Sequence, residues 1–128
     1  MAIILTVDLS HSQIGQLKRV GFWYSKEEPD LPHPGEYIDW TWDRDEKDKV
    51  IRYLQESYVL TRFYCGYSWC RLYCDFDVIP EIGYREYTDG TWLYPEGLLH
   101  YVLRHMVKPP SDFLEHVRRR NYKVAKPK

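Results

Sequence analysis

Asp89-Gly90 lies between two β-prone runs, Tyr84–Thr88 and Thr91–Tyr94, with Pro95 and Glu96 directly behind them. No other stretch of the chain constrains the fold as tightly. An Asp-Gly pair between such runs predicts a hairpin closed by a type I′ turn, which needs positive φ at both central positions. Pro95 has a φ suited to the first position of a helix, and Glu96 favours the positive end of the helix dipole. Leu98, Leu99, Val102, Leu103 and Met106 then recur at helical spacing, predicting a buried stripe on a helix that ends near His105. Strand, turn, strand and helix are specified in succession, so this segment is expected to be the structural nucleus, with Trp92 buried inside it.

Other elements are expected around this nucleus. Residues 2–8 read as a short strand. Ser12 is expected to cap a short helix carrying Ile14, Leu17 and Lys18, ended by Gly21. Residues 25–36 hold Pro29, Pro32, Pro34 and Gly35, which predicts a stiff extended loop, because each proline fixes its own φ and restricts its predecessor. A helix from Asp45 to about Ser57 follows, with Val50, Ile51 and Leu54 on its apolar side. From Tyr58 the period changes to that of a strand. Beyond Gly66, Cys70 and its alternating neighbours fall on one face and Tyr67, Trp69, Arg71 and Tyr73 on the other. After Pro109-Pro110, Ser111 starts a last helix with Phe113, Leu114 and Val117 inward. The expected fold is α+β: a single domain over 1–128, its antiparallel sheet drawn from the central strands and covered by two or three helices, with a basic tail over 118–128. A length of 128 residues leaves no room for two ordinary domains.

The net charge of −1 selects neither nucleic acid nor an anionic membrane. Its distribution is uneven. Acids crowd residues 27–48, among them Asp39, Asp43 and Asp45, while Arg118 to Lys128 carries bases and no acid. No apolar run approaches the roughly 20 residues of a membrane span, and Asp8 interrupts Ile3-Ile4-Leu5 before a signal-peptide core can form. A cytoplasmic location is expected. Cys65, Cys70 and Cys74 are odd in number, which fits reduced thiols.

Candidate chemistry is sparse. Structural zinc takes ligands paired at close spacing, and these cysteines are not so paired. His100 and His105 are separated by about 500° of helical rotation, which places them roughly 140° apart on a regular helix. No metal or cofactor site is therefore expected, and the thiols read as small core residues. Glu96 and His100 share a helix face beside Asp89 and Trp92, a pocket candidate in which a carboxylate could orient an imidazole; the plainer alternative is a solvated helix pair. No Gly-rich phosphate loop or nucleophile elbow is present. The Tyr67, Trp69, Arg71, Tyr73 face has the composition of a protein-binding hot spot, or of a stacking platform for single-stranded nucleic acid. A covering helix would serve it equally well.

Gly66-Tyr-Ser-Trp-Cys-Arg71, followed by Thr88-Asp-Gly-Thr-Trp-Leu-Tyr-Pro-Glu-Gly-Leu-Leu-His-Tyr-Val102, resembles a widespread family of small, mainly bacterial proteins. Those carry G-x-S-x-C-R, then D-G-x-W-x-W-P-E-G-L-x-H-Y-V and a following H-x-V-x-x-P. Asp89, Gly90, Trp92, Pro95, Glu96, Gly97, Leu98, His100, Tyr101, Val102, His105 and Val107 match, and Tyr94 stands where the pattern has Trp. The resemblance spans roughly residues 20–117 and implies a shared fold without an activity. Small bacterial proteins of this kind often serve as immunity partners of toxins. The function expected is accordingly a non-enzymatic protein-binding module, an immunity protein meeting a toxin domain through Asp39, Asp43, Asp45 and the aromatic face. The alternatives are a small enzyme or ligand-binding protein working at Asp89, Trp92, Glu96 and His100, and a binder of single-stranded nucleic acid.

Overall fold

The computed structural model describes residues 5–61, 70–72, 83 and 85–125. The fold is α+β, built on a five-stranded sheet in the order β1-β3-β4-β5-β2. Its centre is antiparallel: β3 (Tyr58–Leu60) pairs with β4 (Glu86–Thr88), and β4 pairs with β5 (Trp92–Pro95). Both edges are parallel additions, β1 (Thr6–Val7) on β3 and β2 (Lys18–Arg19) on β5. The sheet is thus mixed, where a purely antiparallel one was expected. One cause is the parallel docking of β1 on β3, and the other lies in residues 17–19. The spacing places Leu17 and Lys18 in a helix, but α1 (His11–Gly15) stops earlier, capped by Ser10 rather than Ser12. Lys18 then donates its N–H to the Thr91 carbonyl, and Val20 donates to Leu93.

The hairpin forms where Asp89-Gly90 predicts it, with a different turn. Thr88 pairs with Leu93, so Asp89 to Trp92 make a four-residue loop. Only Gly90 in that loop has positive φ, at 97°. The Asp89 carboxylate accepts the N–H groups of Thr91 and Trp92 at 2.9 and 2.7 Å, and the Thr88 hydroxyl bridges Gly90 N–H and the Trp92 carbonyl. Side-chain acceptors close this turn, which is why it dispenses with the I′ geometry.

Three helices pack on the sheet. α2 (Arg44–Gln55) is capped by Asp43, whose carboxylate accepts the Glu46 N–H. It buries Val50, Tyr53 and Leu54. α3 (Gly97–His105) starts after Pro95, which remains in β5, and ends at Met106 in the left-handed region. It buries Leu98, Tyr101 and Val102; Leu103, expected inside, is exposed. α4 (Ser111–Arg119) turns Phe113, Leu114 and Val117 inward. Trp92 and Tyr94, on one face of β5, stand edge-on to Phe113 at 5.4 and 5.8 Å. The proline-rich segment ends in a 3-10 helix, Pro34–Tyr37, and is tied to the chain beyond α3 by Asp39 N–H to Met106 O and Lys108 N–H to Tyr37 O. No helix among the described residues is long and apolar enough to cross a membrane.

Candidate functional site

Asp89, Trp92, Glu96 and His100 do not converge on one pocket. Asp89 is 2 % exposed and belongs to a buried polar knot. Its second carboxylate oxygen accepts the Tyr53 hydroxyl and lies 2.9 Å from His116 Nε2. Burial and the Asp89 charge together push the Tyr53 phenol above its usual range, so it stays a hydrogen-bond donor. Trp92 is buried against Phe113 and fills core space. Glu96 takes the N-cap position of α3, where it accepts the Arg85 N–H through its side chain and donates its own N–H to the Arg85 carbonyl. His100 turns elsewhere, toward His105. Three local networks replace the predicted cleft, because the partners that fix each side chain come from α2, α4 and the segment before β4.

His100 and His105 meet each other. Their rings contact at a centroid distance of 5.0 Å and a steep angle, with Nε2 atoms 3.2 Å apart. Rotation along a regular helix fixes where Cα–Cβ bonds point, not where long planar rings end. His105 is the last residue of α3 and its ring also packs on Tyr101. Cys70 joins from a separate segment, its Sγ 3.5 Å from His105 Nε2, and is 8 % exposed. Burial lowers the His105 pKa, favouring the neutral imidazole. The expectation that these two histidines stand apart is thereby overturned. Spacing in the sequence could not reveal this cluster, because its third member is remote from the helix. Cys65 and Cys74 lie outside the described residues.

Next to Cys70, the Arg71 N–H donates to the Tyr101 hydroxyl and its Nε donates to the Tyr24 carbonyl. Arg71 and Tyr101 also line a cavity of about 140 Å³ with Trp23 and Glu28. Trp23 Nε1 is buried and has no hydrogen-bond partner among the described residues. Tyr67, Trp69 and Tyr73, the other members of the expected aromatic face, lie outside the described residues.

The acidic segment carries a feature that composition alone did not single out. Trp40 is 74 % exposed, while Trp42 is buried and donates its Nε1–H to Glu46. Asp39 causes the difference. Its carboxylate accepts both the N–H and the hydroxyl of Thr41, at 2.9 and 2.6 Å, fixing a turn from which Trp40 projects. Those hydrogen bonds also hold the Asp39 pKa below its usual value. Asp43 is engaged as the cap of α2, and Asp45 is exposed in its first turn. Two tryptophans on either side of a single Thr, directly after Asp39, are the signal the sequence offers. Comparison with protein-family models, with curated proteins and with solved structures finds no match to this chain.

Proposed function

We propose that the chain is a protein-binding module for a basic partner, and that this partner is a toxin domain which it neutralises in the cytoplasm as a bacterial immunity protein. The observation that carries the proposal is Trp40, a large ring held in solvent by a fixed turn within an acidic stretch. Tryptophan dominates binding hot spots, because burying it in a partner's pocket releases much ordered water. Asp45, Asp48 and Glu36 are exposed in the same stretch. Acidic charge around an apolar anchor suits a basic surface, which it would steer into fast encounter. Asp39 and Asp43 contribute charge as well, but each also holds local structure.

The test is co-expression with toxin genes from the same genomic neighbourhood, scored by rescue of growth, followed by binding kinetics on the pair that rescues. Trp40→Ala should weaken binding by about 2 kcal/mol or more, mainly through faster dissociation. Asp45→Lys should slow association at low salt and have a smaller effect at high salt, without disturbing the Asp43 cap. An association rate indifferent to both charge and salt would remove the electrostatic part. Full binding by the Trp40 variant would remove the surface itself.

A further inference from the structure

We propose that Cys70, His100 and His105 bind one divalent transition-metal ion, zinc being the ion their donor atoms suit best. The cluster is independent of the docking surface proposed above. Cys70 Sγ is 3.5 Å from His105 Nε2, which is 3.2 Å from His100 Nε2, and the three residues each offer a donor atom within 4.8 Å of the other two. Zinc at about 2.3 Å from sulfur and about 2.05 Å from nitrogen, with tetrahedral angles, sets sulfur–nitrogen pairs about 3.6 Å apart and nitrogen–nitrogen pairs about 3.3 Å apart. The two contacting pairs already stand at these separations. An ion could enter with small shifts of side chains that α3 and the Cys70 segment hold in place.

The two contacts of His105 Nε2 suit a shared cation. An imidazole nitrogen carries either one hydrogen or one lone pair in the ring plane. His105 Nε2 faces both Cys70 Sγ and His100 Nε2, so a two-centre hydrogen bond joins it to only one of them. A cation between the three atoms satisfies all of them at once, and binding would convert the Cys70 thiol to thiolate with release of its proton.

The donors also choose among metals. One sulfur and two imidazole nitrogens exclude the oxygen-seeking calcium and magnesium and suit zinc. Copper sites with two histidines and a cysteine add a weak axial thioether. Met106 is adjacent to His105 in sequence, but its sulfur lies 3.1 Å from Lys47 Nζ, turned toward α2. Three protein donors fill three positions of a tetrahedral zinc ion and leave the fourth to water or another ligand. Such an ion would fasten the Cys70 segment to the end of α3.

The experiment uses the full chain, stripped of metal by chelator under reducing conditions, then titrated with zinc against a chromophoric competitor and with cobalt by absorption. One equivalent of zinc should bind. Cobalt should give the intense visible bands of a tetrahedral site, with a thiolate-to-cobalt charge-transfer band that zinc abolishes. Cys70→Ser should remove that band. His100→Gln and His105→Gln should each weaken zinc binding by at least about 100-fold, since even changes outside the ligand shell cost 10–100-fold. Cys65→Ser and Cys74→Ser should keep the band. Circular dichroism checks that each variant folds, and the unmodified chain alone gives stoichiometry and cobalt geometry. No retained equivalent, a pale octahedral cobalt spectrum, or a charge-transfer band that survives loss of Cys70 would overturn the proposal.

Discussion

Trp92 and Gly90 probe the hairpin from opposite directions. The Trp92 ring is 5 % exposed and packs on Phe113 and His116, with Lys18 Nζ 5.6 Å above it. Trp92→Ala should cost about 3–5 kcal/mol in urea denaturation, the usual penalty for deleting a buried large aromatic; a loss under about 1 kcal/mol would mean that the ring adds little to the core. Gly90 stands at φ 97°, and a Cβ there would meet nothing within 4 Å. The penalty for Gly90→Val, about 1–3 kcal/mol, is therefore one of backbone conformation and not of space. At this scale the sequence was legible where a preference is local: the hairpin, the glycine, the buried ring. It was illegible where a side chain finds distant partners. Asp89 reads as a pocket acid until Tyr53 and His116 are seen closing on it. His100 and His105 read as diverging until Cys70 and Tyr101 are seen beside them.

Between elements, Glu46 is the clasp of α2 on α4. Its carboxylate accepts two hydrogen bonds from Arg118 at 2.8 and 2.7 Å, one from Trp42 at 3.0 Å and one from the Tyr122 hydroxyl at 2.7 Å. Arg118 and the other donors outweigh the cost of burial, and its pKa falls from 4.5 to about 2. The unfolded chain takes up this proton near pH 4.5 and the folded chain only near pH 2. Between those values the unfolded state binds more protons, so stability present at neutral pH is lost as the pH drops through this window. Glu46→Gln should cost about 1–3 kcal/mol at pH 7 and flatten the dependence of stability on pH below 4.5, measured by denaturation across acid buffers. An unchanged acid limb would show that another group dominates it. The helices themselves were legible, since Val50 with Leu54, and Phe113 with Leu114 and Val117, repeat at helical spacing. β2 was not. Lys18-Arg19 lacks the β-branched and aromatic residues that favour strands, and it is held extended by pairing along β5. The clasp was equally hidden, as Glu46 and Arg118 look like two solvated charges until α2 and α4 are brought together.

Across the whole molecule, the stretch from Thr6 to Arg19 reaches both margins of the sheet, β1 beside β3 and β2 beside β5, with α1 between them. It covers the rows of N–H and C=O groups that the three-stranded centre would otherwise present to other chains. Deleting residues 1–19 should therefore leave a folded centre with two open margins that aggregates on warming where the full chain does not, followed by light scattering and gel filtration. A truncated chain that aggregates no more than the full chain would show that the flanking strands protect nothing. The same connectivity sets an order of assembly. Residues 6–19 leave the ribosome well before Trp92 to Pro95, yet β2 has no strand to join until those residues exist. β1 can be fastened once β3 has emerged, but β2 must wait about seventy residues for β5, so a nascent chain carries Lys18–Arg19 without its sheet neighbour over that whole interval.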